Sequence, residues 1–72
     1  MNRQEMEFAV FCIESIAERL GSDGADVYVK LGCNSTILDE YIVPNYAALH
    51  TQDKEYIVED ILAIMRTEGL AP

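Results

Sequence analysis

Met6, Ala9, Val10, Ile13, Ile16, Ala17 and Leu20 recur at steps of three and four. That spacing puts them along one side of a helix and leaves no room for a strand at the start of the chain. Gly21 stands where a left-handed C-cap belongs, Arg19 suits the negative end of the dipole, and Asn2 can cap the start. Phe8, Phe11 and Cys12 widen the apolar surface around the flank. Such a helix is either central and covered by several others, or meets a second chain along that flank. With about four elements in the chain, the central position is expected.

The stretch "GSDGADVYVKLG" carries two patterns. Ser22 or Asp23 can cap a short helix ending at Gly32, yet Val27, Val29 and Leu31 also alternate as a strand would. No other stretch alternates well enough to pair with it, so the expectation is helix. In "CNSTILDEYIVP", Asn34 or Ser35 caps a third helix. Its buried stripe is Ile37, Leu38, Tyr41 and Ile42, and Pro44 ends it near Val43. "PNYAALH" is a turn or a short helical piece. The last helix runs from about Thr51 to Thr67, with Ile57, Val58, Ile61, Leu62, Ile64 and Met65 inward and Glu55, Glu59 and Arg66 outward. Gly69 closes it and "LAP" frays. The expected fold is all-α: one domain over residues 1–72, a compact bundle of about four short helices, helix-turn-helix-like in the middle.

A chain of 72 residues buries only about 60% of its unfolded surface, so its stability margin is small. Its 50% hydrophobic content argues against disorder. No uninterrupted apolar run is long enough to span a membrane, and Glu5, Glu7, Glu14 and Glu18 interrupt what a signal peptide would keep apolar. Cys12 and Cys33 are too few and too far apart for a metal knuckle or a redox pair. A cytoplasmic protein with two reduced thiols is expected, although a disulfide between them stays geometrically open.

Five Lys and Arg stand against thirteen Asp and Glu, a net charge of -8. Arg3, Arg19, Lys30, Lys54 and Arg66 are spread evenly along the sequence, so phosphate and anionic lipid are repelled. The balance serves solubility, or attraction to a basic partner protein.

"KLGCNSTILDEYI" has the parts of a helix-turn-helix, but its second helix offers Asp39 and Glu40 where DNA readers offer Arg, Lys, Asn or Gln. The neighbouring acids Asp39–Glu40 and Glu59–Asp60 point about 100° apart and cannot converge on one atom. Glu55 and Glu59 share a face near His50, without the spacing of a known metal motif. Cys12 sits on an apolar flank, and no histidine is near Cys33 in sequence. There is no glycine-rich phosphate loop. No catalytic, metal or cofactor-binding residue is therefore expected, and no enzyme. Among the four tyrosines, Tyr28, Tyr41, Tyr46 and Tyr56, the pair flanking Pro44 is expected to be partly exposed. With Phe8 and Phe11, Tyr41 and Tyr46 form the candidate interaction surface. In "ALHTQDKEYIVED" the cluster His50, Thr51 and Asp53 reads as a helix start: Thr51 caps, Asp53 and Glu55 suit the dipole, Leu49 packs back, and His50 pins the corner.

"EFAVFCIESIAERL" and, more specifically, "LHTQ" followed by "KEYIVEDI" resemble a family of small bacterial proteins, domain-of-unknown-function family thirty-seven ninety-one. The resemblance covers nearly the whole chain and is weakest from Ser22 to Tyr46. It implies no established activity. It does imply an accessory or antitoxin-like role, because such genes often neighbour one for an ADP-ribosyltransferase-like protein. The expected function is a protein-protein interaction module, binding another protein or itself. The alternative is a transcriptional regulator using Lys30–Ile42 on DNA.

Overall fold

Asn2 sets the first helix in place. Its side-chain oxygen accepts the Glu5 N–H at 2.8 Å, while the Glu5 carboxylate accepts the Asn2 N–H at 2.9 Å. Two otherwise unpaired donors are satisfied reciprocally. The helix they open, α1 (Arg3–Leu20), ends at Gly21 with φ 66°. There the Ser22 N–H reaches back to Ala17 O at 2.9 Å and the Gly21 N–H to Glu18 O at 3.4 Å. This pair of bonds is a Schellman ending, which needs the left-handed backbone that glycine adopts without strain.

The computed structural model describes residues 1–71. Helix α2 begins as Gly24–Tyr28 and continues without a break as a π-helical turn, Val29–Cys33. Val27 and Leu31, four apart, are buried while Val29 between them is exposed. That is helical and not strand burial. The Ser35 hydroxyl donates to Lys30 O at 2.8 Å and accepts the Ile37 N–H at 3.3 Å, so one side chain spans the corner, but the N-cap of the next helix is Thr36 and not Asn34 or Ser35. Helix α3 (Ile37–Ile42) is also π-type, with Ile37, Leu38 and Ile42 buried. Val43 caps its end, Pro44 follows, and α4 (Tyr46–Leu49) is a single turn.

Helix α5 (Lys54–Thr67) starts one cap later than the sequence leads one to expect. Asp53, in extended backbone, accepts the Tyr56 N–H at 2.8 Å and is the N-cap. Thr51 is not: its hydroxyl donates to Ala48 O at 2.8 Å and seals the end of α4. Replacing Asp53 by alanine is expected to lower stability by about 1 kcal/mol, and Thr51→Ala by clearly less. Urea unfolding of the two variants checks the order. Gly69 (φ 73°) repeats the Schellman ending, with Leu70 N–H on Met65 O at 2.8 Å. Of the tail expected to fray, Leu70 and Ala71 pack against the core and Pro72 lies outside the described residues.

The described residues thus form five helices and no strand, and every helix contributes to one core. Cys12, Ile16, Val27, Leu31, Ile42, Ile61 and Met65 are fully buried in it. The Cα radius of gyration, 10.9 Å, matches the roughly 11 Å of a compact chain of this length. No helix among the described residues is long and apolar enough to cross a membrane.

The stripe of α1 is turned from its expected centre. Phe8, Ala9, Cys12, Ser15, Ile16 and Ala17 are buried. Met6 and Val10, expected inside, are 54% and 52% exposed. Apolar residues cover so much of this helix that periodicity alone cannot centre the stripe. The side that wins contains Phe8, whose ring gains more from burial than the side chain of Met6 or Val10.

Candidate interaction surface

Phe8, Phe11, Tyr46 and His50 come together as a row of rings joining α1 to α4. Phe11 stacks against Phe8 at 6.2 Å between centroids, and Phe8 meets Tyr46 edge-on at 5.5 Å. Tyr46 stacks on His50 at 4.4 Å with the planes 11° apart. His50 Nδ1 lies 2.7 Å from Tyr46 O. A carbonyl only accepts, so Nδ1 carries the proton and donates. The histidine is thereby tied to its own helical turn at the corner before α5. Phe8 is a correction to the expected surface: at 8% exposure it is a core residue. Phe11 remains 41% exposed and Tyr46 is half-buried.

Tyr41 is half-buried too, but it faces α5, where its hydroxyl donates to the Asp60 carboxylate. That hydrogen bond first, then burial, pushes the Tyr41 phenol up from 10.0 to about 12. The folded state holds the proton more tightly than the unfolded chain. The stabilisation is therefore complete below about pH 10 and lost as pH rises through about 12. Tyr41→Phe is expected to lower neutral-pH stability by about 1 kcal/mol and to flatten the alkaline fall between those pH values. Thermal melts at stepped pH check both.

The adjacent acids Glu59 and Asp60 diverge, as neighbours on a helix must. Asp60 takes the Tyr41 hydroxyl while Glu59 pairs with Arg19 of α1 at 2.5 Å. Lys54 pairs with Glu18 at 3.1 Å. Arg19 and Lys54, far apart in sequence, thus meet at one open cleft of about 570 Å³ between α1 and α5, lined also by Ser15, Glu18, Glu55 and Val58. The cations are less evenly spread than the sequence implies, but each of these two is matched by a carboxylate. Both pairs are solvent-exposed and contribute at most about 1 kcal/mol each.

Among the described residues no group of three or more His, Cys, Asp or Glu side chains stands close enough to hold a metal ion. Cys12 and Cys33 are both free thiols. Burial pushes the Cys12 thiol up from 9.0 to about 12, whereas Cys33 is exposed. Asp39 and Glu40 are exposed on α3, the helix that a helix-turn-helix would insert into DNA.

What sequence reasoning missed is the pair Met6 and Val10. One signal was present. Val10 is two positions from both Phe8 and Cys12, about 200° around the helix, so all three cannot share a centre. These two residues, with Phe11 on the opposite flank, are the large apolar side chains that α1 itself leaves exposed.

No curated protein and no solved structure matches the chain. Residues 7–68 match the family model described as protein of unknown function (DUF3791), and the chain belongs to that family.

Proposed function

We propose that the chain is a cytoplasmic, non-enzymatic module that acts by binding another protein through the N-terminal half of α1. The observation behind this is the exposure of Met6, Val10 and Phe11 on a single helix whose opposite side already fills the core. Tyr28, Val29 and Tyr56 are exposed on other helices, but Met6 and Val10 lie one turn apart on α1, and apolar area so gathered gains free energy when a partner covers it. The charge of -8 favours a protein partner over nucleic acid or anionic lipid. The family resemblance adds an accessory or antitoxin-like role beside an ADP-ribosyltransferase-like protein.

The test is light scattering on the pure chain combined with capture of the products of neighbouring genes. A defined complex that Val10→Gln weakens supports the reading. A strict monomer that captures none of them contradicts it. A band shift on its own upstream DNA at low salt would favour the regulator instead.

A further inference from the structure

We infer that the docking face is the Met6–Val10 side of α1 and that its occupant is a basic amphipathic helix of a partner protein. This rests on the interaction reading above and names its partner class. Met6 and Val10 lie one turn apart, and half-buried Ile13 extends them into an apolar track about 10 Å long. Glu7, three residues before Val10, and Glu14, four after it, flank the track and are exposed, the Glu14 carboxylate lying against Gly24 at the start of α2. Arg3, on the same side of α1, pairs with Glu7 at 3.7 Å and offsets one of the two carboxylates, leaving these three groups net negative. The rim is therefore acidic around an apolar centre.

A second copy of the chain fits this face poorly. It would set acidic rim against acidic rim and -8 against -8, and like charges facing across an interface are repelled. An extended peptide has no sheet edge to join, because the described residues contain no strand. A ridge of side chains four apart accepts the groove of another helix. Lys and Arg on that helix would lay their aliphatic stems along Met6 and Val10 and bring their charges to Glu7 and Glu14.

The experiment uses the full chain and two synthetic helical peptides of identical Leu and Lys content. One gathers its leucines in a single helical stripe, and the other scatters them. Fluorescence anisotropy at low salt is expected to show at least tenfold tighter binding of the striped peptide, with amide shift changes centred on residues 6–14. Met6→Gln/Val10→Gln should remove the stripe preference, and Phe11→Gln should leave it. Glu7→Gln/Glu14→Gln, which leaves the apolar track intact, should weaken both peptides. Equal binding of the two peptides, or shifts centred on Tyr46 and His50 or on the α1–α5 cleft, overturns the inference. So does self-association of the chain that Met6→Gln/Val10→Gln abolishes. A captured partner that crosslinks away from residues 6–14 leaves the interaction reading standing and sinks this one.

Discussion

Ile16→Ala is expected to remove about 2–5 kcal/mol of stability, while Val10→Ala on the same helix changes it by less than about 0.5 kcal/mol. Ile16 has no exposed surface and Val10 is half open to solvent. Losing the buried side chain forfeits its transfer free energy and leaves a cavity. Val10 loses little contact, and alanine is the better helix former. A domain of 72 residues holds roughly 4–11 kcal/mol in all. The first substitution therefore removes a large part of the total and lowers the melting midpoint by about 10 °C or more. Urea and thermal unfolding followed by circular dichroism measure both variants. Equal losses at the two positions would mean that α1 is rotated from the orientation described.

The two thiols are expected to differ by several orders of magnitude in reactivity. At pH 8 a disulfide-exchange reagent should label Cys33 quickly, giving one thiol per native chain. Cys12 is fully buried and its thiol is pushed up to about 12, so access and thiolate are both lacking. It should react only when the domain opens, at a rate lower by roughly 10³ or more. Mass spectrometry of partly labelled protein assigns the site. The same burial adds to the alkaline fall expected from Tyr41, because the folded state holds the Cys12 proton from about pH 9 up to about 12. Simultaneous labelling of both cysteines in native buffer would contradict the placement of Cys12 between α1 and the rest of the core.

The helix ends were the most legible part of the sequence. Asn2, Gly21 and Gly69 perform their capping roles with the expected bonds. Such signals are local, requiring only a few residues to agree. Thr51 and Asp53 were harder, because both can cap and they stand two residues apart. The choice depends on where α5 begins, and Thr51 is already occupied by Ala48 O. Val27 and Leu31 fit helix and strand alike, so only the exposure of Val29 separates the two. The π-helical turns at Val29–Cys33 and Ile37–Ile42 left no mark in composition or spacing.

Long-range geometry was least legible. Nothing local says that Arg19 faces Glu59, or that Phe8 meets Tyr46 and through it His50. These contacts arise where packed helices cross, and periodicity gives a face without saying what covers it. The same gap put Met6 and Val10 inside and Phe8 on the surface. Correcting it moves the candidate interface from a flank of aromatic rings to a track with an acidic rim.

Site-specific photocrosslinking in cells shows whether a partner protein covers the Met6–Val10 side of α1. A photoreactive side chain is placed at position 10 on the exposed side of α1, and in a second variant at position 63, where Ala63 is exposed on α5. One protein adduct of defined mass is expected from position 10, competed away by the unmodified chain, and none from position 63. Adducts from position 63 alone, or from neither position, would contradict docking on that side.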